Sequence, residues 1–212
     1  MAIPLSRGIW LSVTATLLVL GIAGLGAGWL LQRYETSHAF DVEASLIAEA
    51  LELSEGDTVA DIIAGEGGWT IDLAERVGDA GHVYSTGNDA DETAIIAAAI
   101  EAAGVGNVTV VETPGEALEL PDECCDAMLV RVMYHHMADG SGAADRMRQA
   151  LRPGGLLAVI DYGRDAPEFS GGHGVDQDQL VNEVTGAGLD LMRVIDDWSG
   201  NAYCAIFRRP NS

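Results

Sequence analysis

Lysine is absent. All eleven basic side chains are arginines, and they stand against 33 acids for a formal net charge of −22 over 212 residues. A surface that negative excludes nucleic acid as a partner, because a phosphate backbone demands the opposite sign. The missing lysine reflects composition and carries no chemistry of its own. Cysteine is scarce as well. Cys124, Cys125 and Cys204 offer no C-x-x-C or Cys/His spacing, which removes a zinc site and a redox pair from consideration. Adjacent cysteines rarely bridge one another, so the three are expected to pack as small apolar side chains.

Charge is also lacking between Arg7 and Arg33, and here the absence points to something present. An uncharged apolar stretch of that length exceeds the ~20 residues that span a hydrocarbon core of ~30 Å. Residues 1–8 are expected to form a tail, 9–32 a transmembrane helix and 33–40 a linker. Trp10 and Trp29 fall about 28 Å apart at the helical rise, near the two interfaces where tryptophan concentrates, and Tyr34 strengthens the second belt. A cleaved signal peptide is the competing reading, although its apolar core would run only ~7–15 residues. Gly21, Gly24 and Gly28 leave one stripe smooth enough for another helix, so transmembrane helices of a larger complex within the lipid bilayer are the expected partners. Glycine is common in such helices in any case. Arg7 and the amino terminus outweigh Arg33, which places the amino terminus in the cytoplasm and the domain on the periplasmic or outer side; the cytoplasmic face is the alternative.

Residues 41–212 make one domain with enough chain for a core. Asp41–Leu53 has helical spacing, Thr58–Ile63 is a β-branched strand, and Gly65-Glu66-Gly67-Gly68 leads into a helix over Trp69–Val77. A strand at His82–Thr86 completes a βαβ unit. The alternation continues with helix Asp91–Ala103, strands Asn107–Glu112 and Asp126–Val132, helix Gly140–Leu151 and strand Leu156–Tyr162, which argues for a parallel sheet. A helix near Asp176–Gly188 and two strands, Leu189–Asp196 and Tyr203–Arg208, close the chain as a hairpin.

Three stretches carry a family resemblance: Val59-Ala60-Asp61 running into Gly65-Glu66-Gly67, Leu151-Arg152-Pro153-Gly154-Gly155, and Tyr134-His135-His136 after the fourth strand. With the closing hairpin, they make residues 41–210 resemble the class I S-adenosylmethionine-dependent methyltransferases. The resemblance implies an α/β, Rossmann-like fold: a seven-stranded, mostly parallel sheet with the last strand antiparallel, here preceded by one transmembrane helix. It also implies cofactor binding at Asp61, Gly65, Glu66 and Gly67, where glycines let backbone amides approach the ligand. Three positions depart from the family pattern. Ile63 stands at the first glycine of the turn, where a bulky side chain disfavours positive φ. Gly87 stands where the second strand ends in an acid that holds the ribose, and Pro114 where an acid often holds the adenine, with Glu116 as a nearby substitute.

Two functional readings follow. In the first, the altered pocket has lost its cofactor, and the domain is a non-catalytic, structural or accessory subunit of a membrane complex such as a respiratory or photosynthetic one. In the second, the protein is an active membrane-bound methyltransferase that uses S-adenosylmethionine on a lipid, quinone-like or other small acceptor. The second reading draws on His135, His136 or His173 as a base. Each of these histidines also has a bland alternative, as a local cap or a loop side chain in solvent. The three departures together favour the first reading.

Overall fold

Short runs of small and β-branched residues build the sheet, and their pairing is already implicit in which of them can be buried on both sides. The computed structural model describes residues 38–114, 118–137, 140–163, 174–199 and 201–211. The chain divides into two compact units, 1–43 and 44–212. Of the first unit only 38–43 are described, as the start of a helix, α1, that spans 38–50. The apolar segment 9–32, with Gly21, Gly24, Gly28, Trp10 and Trp29, lies outside the described residues, as does Tyr34. Among the described residues no helix is long and apolar enough to cross a membrane.

The strands are β1 (Thr58–Ile62), β2 (His82–Gly87), β3 (Val108–Glu112), β4 (Cys125–Arg131), β5 (Leu151–Tyr162), β6 (Asp190–Ser199) and β7 (Ala202–Arg208). They form one sheet in the order β3-β2-β1-β4-β5-β7-β6. The first five pair in parallel, and β7 runs antiparallel to both β5 and β6. This is the seven-stranded sheet with an antiparallel last strand that the sequence resemblance implied.

The helices α2 (Gly68–Val77), α3 (Ala90–Ala103), α4 (Gly140–Ala150) and α5 (Gln177–Gly186) complete the second unit. Central strands covered on both faces need apolar residues at every position, and Ala127–Val130 and Leu157–Ile160 are all buried. Alternate residues serve opposite faces. Met128, Val130, Leu157 and Val159 pack with Met147 of α4 and Leu180 and Val184 of α5. Ala127, Leu129, Ala158 and Ile160 pack with Ile47 of α1 and Leu73 and Val77 of α2. Cys125 and Cys204 are buried in these two layers as small apolar side chains.

Element limits shift where tertiary pairing overrides local pattern. The expected fifth strand starts at Leu156, yet β5 begins at Leu151, because Leu151 pairs with Cys125 across an irregularity between Cys125 and Ala127. Arg152-Pro153-Gly154-Gly155 is thereby drawn into the strand, with Pro153 at the distorted stretch that tolerates its missing N–H. Leu151 leaves the expected helix for the strand. The fourth strand stops one residue early, at Arg131, because Val132 turns to φ +57°.

Candidate functional site

The strand order reverses between β1 and β4, and a crevice at the carboxyl ends of strands beside such a reversal is where α/β sheets bind ligands. Here that edge carries the glycine turn. Gly65 and Gly67 have φ of +58° and +81°, and Gly67 caps the start of α2. Ile63 takes φ +56° despite its branched side chain. Its N–H donates to Thr86 Oγ1 at 2.8 Å, and the N–H of Ala64 donates to the Thr86 carbonyl at 2.8 Å. The expectation that isoleucine would resist positive φ is corrected: two bonds to β2 hold the turn along the path a glycine would take.

Asp61 sits beneath this turn, buried at the end of β1. Thr70 of α2 donates to Asp61 Oδ2 at 2.7 Å, and Thr70 Oγ1 lies 2.7 Å from Ser85 Oγ of β2. Through Thr70, one carboxylate thus ties together β1, α2 and β2. Burial pushes the Asp61 carboxyl up from 3.8 to about 6, against the Thr70 hydrogen bond and the charge of Arg131, which both pull it down.

A cleft of about 410 Å³ opens over the turn, lined among others by Asp61, Ile63, Gly65, Glu66, Trp69 and Arg131. The Arg131 guanidinium lies 4.7 Å from the centre of the Trp69 ring, a cation–π contact that forms part of the wall. Of the four residues of the motif, Asp61, Gly65 and Glu66 therefore meet in one cleft, whereas Gly67 caps α2 and is not part of its lining. Trp69 and Arg131 were missed as site residues, although Trp69 directly follows the glycine turn and Arg131 lies near the end of the expected fourth strand.

Gly87 closes β2, and a Cβ there would lie 3.1 Å from both Glu92 Cβ and the Thr93 nitrogen at the start of α3. The place of the expected acid is occupied from the neighbouring helix. Asp89 is engaged as the cap of α3, accepting the Asp91 and Glu92 N–H groups, and Glu92 accepts the N–H of Asn88 at 2.8 Å. Pro114 is exposed, and Glu116 lies outside the described residues.

A second cavity of about 140 Å³ opens along the same edge, lined by Tyr134, His135, Met137, Gln179 and Glu183 among others. Its histidine is strongly held. His135 Nδ1 lies 2.7 Å from Oδ1 of Asp161, a wholly buried carboxylate near the end of β5. Oδ2 of the same carboxylate accepts the His135 N–H at 3.1 Å, and Oδ1 accepts the Tyr162 N–H at 2.8 Å. His136 is exposed and its ring centre is 4.1 Å from that of His135. His173 lies outside the described residues. Asp161 escaped the sequence reading, yet it carried a signal: an acid at the end of an otherwise apolar strand.

Residues 60–159 match the model of a methyltransferase domain. A solved S-adenosylmethionine-dependent methyltransferase from Aquifex aeolicus superposes with a TM-score of 0.69 at 21% identity, over 78% of this chain and 88% of that one. The fold is that of the class I methyltransferases. Among proteins of similar sequence, the ubiquinone/menaquinone biosynthesis C-methyltransferase of Marinomonas sp. is 30% identical over 117 residues, which is 54% of this chain and 46% of that protein. The demethylmenaquinone methyltransferase of Listeria welshimeri is 29% identical over 113 residues, 52% of this chain and 47% of that protein. The chain spans about half the length of these curated relatives.

Proposed function

We propose that the protein is an S-adenosylmethionine-dependent methyltransferase acting on a small, quinone-like acceptor. The observation that carries this reading is the glycine turn, which keeps a ligand-cradling path although Ile63 has replaced its first glycine. Similarity to relatives named for methylation in ubiquinone and menaquinone biosynthesis supports the same reading. Together they favour an active enzyme over the non-catalytic accessory subunit expected above, and S-adenosylmethionine over no cofactor.

The residues present fit such a ligand in part. Gly65 and Gly68 bring backbone close to the cleft, Asp61 orders the turn from beneath, and Trp69 with Arg131 offers an aromatic and cationic wall. S-adenosylmethionine supplies an electrophilic methyl group on sulfur. The protein's task is then to align donor and acceptor, since an in-line displacement gains most from positioning. A quinone-like acceptor dissolves in a bilayer, which agrees with an anchor over residues 9–32. This reading places the domain on the cytoplasmic face, where the methyl donor is found, in place of the outer side.

Calorimetric titration of the full chain, in a nonionic detergent, with S-adenosylmethionine and S-adenosylhomocysteine tests the proposal. Binding in the micromolar range is the expected result. No heat at millimolar ligand from a folded chain would overturn it and restore the accessory-subunit reading.

A further inference from the structure

The histidine cavity is not explained by cofactor binding, and its chemistry is specific enough to assign. We propose that His135 is the base that takes the acceptor's proton, that Asp161 is its positioning residue, and that the adjoining cavity receives a phenolic hydroxyl of the acceptor. This rests on the methyltransferase reading above and adds the acceptor side of the reaction to it.

The backbone N–H groups of His135 and Tyr162 and the ring nitrogen Nδ1 of His135 converge on the two Asp161 oxygens. An arrangement of donors alone suits a carboxylate, which can only accept. Nδ1 therefore carries the ring hydrogen and Nε2 the lone pair, the tautomer a base requires. The backbone bond matters equally. It fixes the residue as well as the ring, so that the imidazole has little freedom to leave the cavity wall.

The cavity itself sets the acceptor's chemistry. At about 140 Å³ it falls below the ~300–1,000 Å³ of sites that enclose a whole ligand, so it holds one polar end. Tyr134 Oη donates towards the Gly140 carbonyl at 3.0 Å and Glu183 Oε2 at 3.1 Å, and Gln179 Nε2 donates to Glu183 Oε1 at 2.8 Å. Burial, followed by the carboxylates of Asp161, Asp176 and Glu183, pushes the Tyr203 hydroxyl up. His136 is exposed and its ring is tilted at 42° to that of His135, whereas His135 bonds Asp161 through both its backbone and its ring.

The step balances. The acceptor's O–H proton passes to Nε2, and the released electron pair forms the new bond to the methyl carbon, either from oxygen or through the ring from the adjacent carbon; in the second case that carbon then loses its hydrogen as a proton while the oxygen regains one, which restores the aromatic ring. The carbon–sulfur bond breaks with its pair remaining on sulfur as a neutral thioether. The imidazolium then releases its proton to water.

Nitrogen-15 spectra of histidine in the full chain, saturated with S-adenosylhomocysteine, test the assignment with 1,4-dihydroxynaphthalene as probe. The expected result is an Nδ1–H tautomer at His135, a shift of its Nε2 on adding the probe, and transfer of the hydrogen to Nε2 in Asp161→Asn. In turnover of the probe with S-adenosylmethionine, His135→Gln should lose about 10²- to 10⁴-fold in kcat, with S-adenosylhomocysteine affinity within twofold of the parent. An Nε2 unmoved by millimolar probe in a chain that binds S-adenosylhomocysteine would overturn this assignment alone. A chain that binds no S-adenosylhomocysteine would overturn the methyltransferase reading on which it rests.

Discussion

Ile63 and Asp61 show what single positions contribute to the turn. A left-handed backbone costs a non-glycine residue about 1–2 kcal/mol, and the two bonds to Thr86 hold Ile63 there nonetheless. Replacing it with glycine or alanine removes the same side chain, but only glycine relieves the backbone. Ile63→Gly should therefore be more stable than Ile63→Ala by ~1 kcal/mol in urea unfolding, the reverse of the usual order. Equal stability would mean that the turn relaxes once the side chain is gone. At Asp61 the native carboxyl holds its proton more tightly than the unfolded one, with its value raised to about 6. The stability linked to that proton is full below pH 3.8 and is lost as the pH rises through about 6. It amounts to something on the order of 3 kcal/mol. Asp61→Asn does not titrate, so melting curves should find its stability relative to the parent improving from pH 4.5 to pH 7.5. A difference independent of pH would show that the carboxyl is solvated in the native chain.

At the scale of elements, the junction of β2 and α3 decides how far the family pattern could be restored. Gly87→Asp would supply the acid the pattern calls for, but its Cβ would press at 3.1 Å on Glu92 and on the Thr93 backbone. Overpacking of this kind costs about 1–3 kcal/mol. The variant should melt lower and bind S-adenosylhomocysteine no more tightly than the parent; a stable, tighter-binding variant would show that α3 can give way. The elements themselves were legible wherever local pattern and tertiary demand agreed. The β-branched run at Thr58 and the caps of α3 at Asp89 and Gly104 mark their limits in the sequence. Leu151 was not legible as a strand residue, because its partner Cys125 is remote in sequence and only the sheet brings them together.

For the whole molecule, the net charge of −22 makes self-repulsion a general load on the compact state, and salt screens it over a Debye length of about 10 Å at 0.1 M. Raising sodium chloride from about 20 mM to about 300 mM should raise the melting temperature of the full chain. A falling temperature would mean that local ion pairs such as Arg152–Asp126, at 2.6 Å, outweigh the repulsion. The same scale governs function. The carboxyl edge of the sheet gathers the glycine turn after β1, the Arg131 wall from β4, Asp161 from β5 and His135 from the short helical turn Tyr134–His136 that follows β4.

The sequence by itself determined the sheet-and-helix alternation, the closing hairpin, the glycine turn and the acidic surface, because these follow from periodicity, turn chemistry and charge count. Tertiary structure alone decided that Ile63 would bend like a glycine, since the bonds that hold it come from Thr86, 23 residues away. It alone filled the space beside Gly87 with the start of α3. It also set Asp161 against the His135 ring, because that carboxylate arrives from another strand, 26 residues further along the chain.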